Sequence, residues 1–198
     1  MKTLLTWLTI VVVASSCTTA SDPLEQYEEL TPIPIMEPPP SQAANPVNSA
    51  LIEQGRYMIE LIGCAACHTN GALNGDPDFD QWLAGSDTGI AYTNPMKYDM
   101  PGVVFPSNLT PDPGTGIGNS SDDEITSAIR AGSSRHGLRQ IVVMPWLAYS
   151  KLSDADTAAI VAYLRSLPPV EHKVPDYVPP DTSTSERFVH FGIYRSLP

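Results

Sequence analysis

Apolar residues recur at helical spacing between Ser49 and Ile62, and Gly63 follows directly. Such spacing places the apolar side chains on one face of a helix, and a glycine commonly ends one. The pattern therefore predicts a helix with one buried face. The positions on that face are Leu51, Ile52, Met58, Ile59 and Ile62.

Two further helices carry start and stop signals. Ser121 and Glu124 have the spacing of a capping box, in which each side chain bonds the backbone of the other residue, and Gly132 marks the end. Ser153 begins the last helix and Pro168 ends it. We therefore expect an all-α domain with three main helices. The apolar positions of these two helices are Ile125, Ala128, Ile129, Ala159, Ile160, Tyr163, Leu164 and Leu167.

Residues 69–120 are rich in Gly, Pro, Asn and Asp, and we expect long loops there. A structureless stretch of this length is uncommon within a compact domain. It is acceptable where a large bound group supplies the core that the loops lack. A bound group is therefore part of the expected fold.

Proline marks the two ends of the expected domain. The chain has 20 prolines among its 198 residues, and they are unevenly placed. Residues 18–48 have the composition of an extended, semi-stiff linker, and residues 173–198 form a second proline-rich extension with an aromatic ending. We expect one globular domain at residues 49–172.

Residues 1–17 have the layout of a secretory signal. Lys2 precedes an apolar run at residues 4–13, which is too short for a spanning helix of about 20 residues. The small residues at 14–16 and the following Cys17 resemble a bacterial lipoprotein signal, in which the cysteine is lipidated. The alternative is ordinary cleavage nearby, with Cys17 lost or left as a free thiol. Either way we expect an exported protein; lipidation would anchor it on the periplasmic side of a bacterial membrane.

The charge balance narrows the classes of partner. The chain carries 11 basic and 22 acidic residues, a net charge of −11. Nucleic-acid-binding proteins rely on a basic surface, so we expect no nucleic-acid partner. The charge suits a protein that meets another protein through a local patch.

The chemistry is concentrated in the motif Cys64-Ala-Ala-Cys67-His68, which has the spacing of a c-type haem attachment site. Two thiols three residues apart can reach the two vinyl groups of one porphyrin, and the next residue places an imidazole beneath the iron. A redox dithiol of the thioredoxin type would follow a strand, whereas a helix precedes this motif. A zinc site would need four ligands, and the only other cysteine is Cys17.

The second axial ligand of the iron decides which chemistry is possible. Met144 and Met100 each precede a proline, which favours an extended conformation and holds a thioether out from a loop. Met144 lies between the second and last helices, where a three-helix wrap would bring it over the haem. Met100 and His136 remain alternatives. The full set of candidates is Met36, Met58, Met96, Met100, Met144, His136, His172 and His190.

Several short motifs occur in order along the chain: Gly55-Arg-Tyr-Met58, Cys64-Ala-Ala-Cys-His-Thr69, Ser107-Asn-Leu-Thr-Pro-Asp112, Thr115-Gly-Ile-Gly118, Ala128-Ile-Arg-Ala-Gly132, Met144-Pro145 and Ala162-Tyr-Leu-Arg-Ser-Leu-Pro-Pro-Val170. Together they resemble the class I cytochrome c family, most closely the cytochrome c subunits and domains of bacterial alcohol, sorbitol and gluconate dehydrogenases. The resemblance implies the class I cytochrome c fold around one covalent haem c, with Met144 as distal ligand. Those subunits commonly carry three such domains where this chain has one, and Trp146 stands where they often carry Tyr.

Other pocket residues are expected from their chemistry. Trp146 and Tyr57 are aromatic side chains suited to pack against the haem. Arg139, together with Arg130 and Arg135, could pair with the haem propionates. Ordinary core or surface roles are the alternative for each of these residues.

With His68 and Met144 both bound, the iron would have no open position, which favours one-electron transfer over oxygen or peroxide chemistry. We therefore expect an electron-transfer protein, not an enzyme: an exported, membrane-tethered monohaem cytochrome c. Its partners would be redox proteins such as a dehydrogenase, a quinol-oxidising complex, an oxidase or a reaction centre, and Cys17 would hold it at the membrane. Two alternatives remain open. One is a fixed subunit of a larger respiratory or photosynthetic complex, and the other is a haem sensor or peroxidase-like protein with a labile sixth ligand.

Overall fold

The computed structural model describes residues 49–133 and 143–192, together with residues 27, 28, 30 and 36–39. Within these residues no helix combines the length and the apolar character needed to cross a bilayer. The helices are α1 (Ser49–Ile62), α2 (Cys64–His68), α3 (Asp122–Ala131), α4 (Trp146–Tyr149) and α5 (Asp154–Ser166). The strands are β1 (Gly89–Ala91), β2 (Val103–Val104) and β3 (Phe188–His190).

The three long helices are those that the sequence predicts, and α1 crosses α5 at Gly55. A Cβ added to Gly55 would collide with the backbone carbonyl of Ala159 and lie 2.8 Å from the Cβ of Tyr163. The absence of a side chain therefore lets the two helix backbones approach closely. Apolar residues from both helices join one buried cluster: Ile52, Met58, Ile59, Ile160, Val161, Tyr163 and Leu164.

The predicted caps of α3 and α5 are confirmed. Ser121 Oγ accepts from the Glu124 N–H, and Glu124 Oε2 accepts from the Ser121 N–H at 2.7 Å. Gly132 ends α3 in the left-handed conformation, with φ of 61°. Ser153 caps α5 by accepting from the Asp156 N–H at 3.0 Å. These caps satisfy backbone donors that a helix N-terminus otherwise leaves unpaired.

A small three-stranded sheet is added to the expected all-α fold. Its strand order is β2-β1-β3, with β1 antiparallel to β2 and parallel to β3. Ile90 in β1 lies opposite Val104 and Val189. Strands of two or three residues are too short to show an alternating pattern in the sequence, so the loop composition concealed them.

The C-terminal segment, residues 173–192, packs against the domain. β3 extends the sheet, Val178 pairs with Val103 as an isolated bridge, and the Asp181 N–H donates to the Met100 carbonyl at 2.9 Å. Residues 169–192 therefore lie beside residues 69–120, far from them in sequence. These two regions are called the loop-and-sheet half, and α1, α3 and α5 the helical half.

The loop-and-sheet half buries apolar side chains of its own. Val103 is fully buried and Leu73 nearly so. Other buried apolar residues of this half are Ala72, Trp82, Leu83, Ala84, Ile90, Ala91 and Phe105. The composition of the loops had led us to expect that a bound group supplies their core. The structure shows that they supply part of this packing themselves.

Candidate functional site

The Cys-Ala-Ala-Cys-His motif forms helix α2, directly after α1. Gly63 joins the two helices in the left-handed conformation, with φ of 73°. Cys64 and Cys67 are half-buried on α2 and are not joined to each other by a disulfide. Burial, with a smaller effect of Cys67, raises the pKa of the Cys64 thiol to about 12, and burial also raises the pKa of Cys67. Both are therefore neutral thiols at neutral pH.

His68 is held in one orientation by a backbone carbonyl. Its ring Nδ1 donates to the carbonyl oxygen of Ser107 at 2.7 Å. Burial lowers the pKa of His68, and the bond to Ser107 opposes that effect. With the proton on Nδ1, the lone pair of Nε2 is available to a metal, which is the arrangement of a metal-binding histidine. The sequence reasoning assigned Ser107 no role, because a carbonyl acceptor leaves no signature in residue type.

Tyr149 is a second residue of the site that the sequence left without a role. It lies in α4, and its hydroxyl donates to the Ile62 carbonyl at 2.9 Å, which ties α4 to the end of α1. Burial first, and then the neighbouring Cys64 and Cys67, raise the pKa of Tyr149 to about 12. Tyr149 is therefore an uncharged neighbour of the two thiols at neutral pH.

The candidate axial methionines have different surroundings. Met144 is half-buried and packs against the same apolar cluster as Cys64. Met58 is a buried member of that cluster, and Met36 packs against it from the proline-rich linker. Met100 is 40% exposed in the loop-and-sheet half. Met144 as the ligand stays a prediction, and its position is compatible with that role.

The candidate histidines differ in their hydrogen bonds and in whether the structure describes them. Both ring nitrogens of His172 are engaged, Nδ1 with the Ala84 carbonyl at 2.8 Å and Nε2 with Asp87 at 2.9 Å. His172 is therefore not free to bind iron. His190 lies half-buried in β3, and His136 falls outside the described residues.

Trp146 has a buried polar atom that lacks a partner. Its indole ring covers Gly132, where an added Cβ would lie 3.0 Å from the ring. The indole Nε1 is buried and has no hydrogen-bond acceptor within the described part of the chain. A buried N–H normally finds an acceptor, so an anionic group at this place fits the structure. An acceptor such as a haem carboxylate would satisfy it.

The remaining predicted pocket residues are not brought together. Tyr57 is 54% exposed on α1, away from the buried face, and its assignment to the pocket stays a prediction. Arg130 pairs with Asp154 at 2.5 Å, so it is engaged on the surface. Arg139, Arg135 and Cys17 lie outside the described residues.

The alternatives for the cysteine motif have no structural counterpart. The thioredoxin arrangement needs a strand before the motif, and α1 occupies that place. Among the described residues, no group of three or more His, Cys, Asp and Glu side chains could hold a metal ion. The geometry favours the haem interpretation.

The chain matches the family model "Cytochrome c" over residues 52–168. It therefore belongs to the cytochrome c family, as the resemblance in the sequence had indicated. Family membership implies covalently bound haem c. The donor set fits that group: two thiols on one helical turn, an imidazole with its Nε2 available, and on α4 an indole N–H without an acceptor among the described residues.

Curated relatives are cytochrome subunits of dehydrogenases. The chain is 35% identical over 136 residues to the cytochrome c subunit of a quinone alcohol dehydrogenase from Gluconobacter oxydans, covering 67% of the chain and 25% of the relative. It is 35% identical over 128 residues to the fructose dehydrogenase cytochrome subunit of Gluconobacter japonicus, covering 65% and 23%. It is 33% identical over 121 residues to the gluconate 2-dehydrogenase cytochrome c subunit of Pantoea cypripedii, covering 61% and 24%. The chain spans about a quarter of the length of these relatives. Their names agree with the expectation of an electron-transfer component in place of a catalytic enzyme.

Proposed function

We propose that this chain is an exported, membrane-tethered monohaem cytochrome c. It transfers single electrons between a dehydrogenase or quinol-oxidising complex and a downstream acceptor. The observation that supports this best is the hydrogen bond from His68 Nδ1 to Ser107, because it leaves the Nε2 lone pair available to a metal on the same short helix as two unpaired thiols. The single Cys-x-x-Cys-His motif in the sequence supports one haem.

The residues of the chain have separate tasks in this proposal. Cys64 and Cys67 would hold the haem covalently through thioether bonds, and His68 and Met144 would be the ligands of its iron. When bound, the haem supplies one-electron chemistry, and a methionine ligand raises its reduction potential relative to a second histidine. Two protein ligands leave no open position, which favours electron transfer over oxygen or peroxide chemistry.

The tether is proposed from the sequence. Lipidated Cys17 would hold the chain at the membrane, and residues 18–48 would connect it to the domain. In polyproline geometry, about 30 residues reach on the order of 90 Å. Such a tether allows the domain to meet partners at different heights above the membrane.

A fixed subunit of a larger complex is the second candidate. The curated relatives are subunits, and the chain corresponds to about a quarter of their length. The proline-rich segment before the domain, residues 18–48, would then lie along neighbouring subunits.

The axial ligand is tested by comparing Met144→Ala with Met100→Ala in the purified full-length protein. We expect Met144→Ala to lower the reduction potential and to let carbon monoxide bind the ferrous iron. Met100→Ala should leave both properties unchanged, because Met100 lies exposed in the other half of the molecule. A potential that is indifferent to Met144→Ala would exclude Met144 as the ligand.

The tether and the partner are tested by mild-detergent purification from native membranes, with mass spectrometry of the proteins that remain bound. A lipid mass on Cys17 and recovery of the chain alone would support a tethered carrier. A stoichiometric complex would support the fixed subunit and would identify its redox partner. Cys17→Ala is the control, and we expect it to release the protein from the membrane fraction.

A further inference from the structure

One short loop bonds both His68 and the residue before its acceptor Ser107. Residues 84–87, here called the proximal loop, donate hydrogen bonds through their two central N–H groups. The Gly85 N–H donates to the carbonyl of His68 at 2.8 Å, and the Ser86 N–H donates to the carbonyl of Pro106 at 3.1 Å. Pro106 precedes Ser107, the acceptor of the His68 ring. The proximal loop therefore bonds the backbone of His68 and the residue that precedes Ser107, the acceptor of the His68 ring.

The two ends of the proximal loop are held by one side chain. His172 Nδ1 donates to the Ala84 carbonyl at 2.8 Å, and Nε2 donates to Asp87 Oδ1 at 2.9 Å. A carbonyl oxygen and a carboxylate are both acceptors, so the ring of His172 bridges the two ends of the loop. The side chain of His172 is only 13% exposed. Asp87 is bonded in turn to Asn70, two residues after His68.

His172 belongs to a stretch that the cytochrome c family model does not cover, since the match ends at residue 168. This stretch, residues 169–178, is here called the strap. Asn108 donates to the Val170 carbonyl at 2.8 Å, and the His172 N–H donates to Thr115 Oγ1 at 3.0 Å. Val174 covers Gly85, where an added Cβ would lie 2.5 Å from Val174 Cγ1. The strap is therefore anchored on the proximal loop and on residues 108–115, which follow Ser107.

We propose that His172 is a positioning residue for His68. By holding the proximal loop at both ends, it fixes the Ser107 carbonyl against the His68 ring. Hydrogen bonds of this kind orient a metal-binding histidine and increase its basicity, which tunes the metal. The strap thereby makes the C-terminal part of this chain a determinant of its reduction potential. The inference rests on the proposed function, because it requires His68 to bind haem iron.

The first test is solvent exchange of the His68 Nδ1 proton, followed by NMR in the ferrous full-length holoprotein. In His172→Phe we expect the exchange rate to rise about tenfold or more. Loss of an outer-shell partner lowers the affinity of a metal site by about 10- to 100-fold, and we take the lower end of that range as the guide. His190→Phe is the matched control, because His190 is half-buried in the same C-terminal segment but lies opposite Ala91 in the sheet. We expect its exchange to stay at the wild-type rate, even where the melting temperature falls.

The second test is the reduction potential. Replacing His172 alone would also leave the Asp87 carboxylate without its ring partner, which changes the charge distribution near the haem site. The double variant Asp87→Asn with His172→Phe removes both members of this hydrogen-bonded pair together. We expect its potential to rise above that of Asp87→Asn alone, because a loosened Ser107 bond makes His68 a weaker donor to ferric iron. If His172→Phe does not fold, both measurements are made on His172→Gln, which retains one hydrogen-bond donor.

The outcomes separate the two proposals. If the wild-type protein carries no covalent haem, or if His68 does not bind the iron, the proposed function fails. If haem and His68 ligation are intact but His172→Phe leaves the exchange rate and the potential unchanged, the role of His172 is excluded. Equal effects of His190→Phe would also exclude it, because they would reflect general stability.

Discussion

The helical half and the loop-and-sheet half differ in the polar side chains that they bury. The main buried cluster consists mostly of apolar residues of α1, α3 and α5, joined by Ala65, Trp82, Leu83 and Tyr149. Thr157 is the single buried polar residue described in α1, α3 and α5. The loop-and-sheet half contains the other six buried polar residues of the described chain: Thr69, Ser86, Thr88, Asn108, Thr110 and Asp112. Both halves bury apolar side chains, but only the loop-and-sheet half also buries a set of hydrogen-bonded polar side chains.

This difference predicts different ways to damage each half. In an apolar seam the cost of a substitution follows from shape, because added or missing atoms disturb close packing. In a hydrogen-bonded loop the cost follows from the groups left without partners. His68 is connected to both halves, since α2 directly follows α1 and the His68 ring bonds to Ser107.

The largest effect is expected at the crossing of α1 and α5. Gly55→Val places a side chain against the backbone of Ala159 and should lower the free energy of unfolding by about 3 kcal/mol or more. Denaturant unfolding of the holoprotein measures this. Gln54→Ala is the control, because Gln54 is exposed on the same helix and should change stability little. A tolerated Gly55→Val would mean that the helices do not approach as closely as described.

The next largest effect is expected at Asn108 in the loop-and-sheet half. Its side chain accepts from the Thr110 N–H at 2.9 Å and donates to the Val170 carbonyl at 2.8 Å. Asn108→Ala should lower the free energy of unfolding by about 2 kcal/mol, because a buried N–H loses its acceptor. Asn119→Ala is the matched control: Asn119 is exposed and also donates to a carbonyl, that of Pro113. Equal losses at both positions would contradict the importance of burial in this half.

A smaller effect is expected at the cap of α3. Ser121→Ala removes the acceptor for the Glu124 N–H and should lower the free energy of unfolding by about 1 kcal/mol. Thermal unfolding at neutral pH compares it with Ser183→Ala, in which an exposed loop serine is replaced. Indistinguishable melting temperatures would show that the capping box adds nothing to the packing of α3.

The smallest effect concerns Asp112 and depends on pH. Hydrogen bonds to its carboxylate, first from the Thr115 N–H and then from the Thr115 hydroxyl, lower its pKa. A lowered folded-state pKa stabilises the fold above the ordinary Asp pKa of about 4, and the contribution is lost as pH falls through the folded value. Asp112→Asn should therefore be less stable than wild type at neutral pH, with the difference fading in acid. Asp99→Asn, at an exposed position, should show no such pH-dependent difference.

The helices could be predicted because their signals are local. Ser121, Glu124 and Gly132 lie within twelve residues, and each acts on the backbone beside it. The sheet could not be predicted, because β1 pairs with β3 across nearly 100 residues and neither strand exceeds three residues. Its register depends on a C-terminal segment whose proline-rich composition indicated only an extension.

The site divides in the same way. Cys64, Cys67 and His68 are fixed by spacing on one short helix, so the sequence determines them together with the family. Ser107 and His172 depend on contacts 39 and 104 residues from His68, and folding alone brings them there. A carbonyl acceptor is the same for every residue type, and a histidine near the end of the chain has no local pattern that indicates its partners. Local chemistry can therefore be predicted from the sequence of this protein, whereas the hydrogen bond that orients the His68 ring arises from the packing of a distant loop.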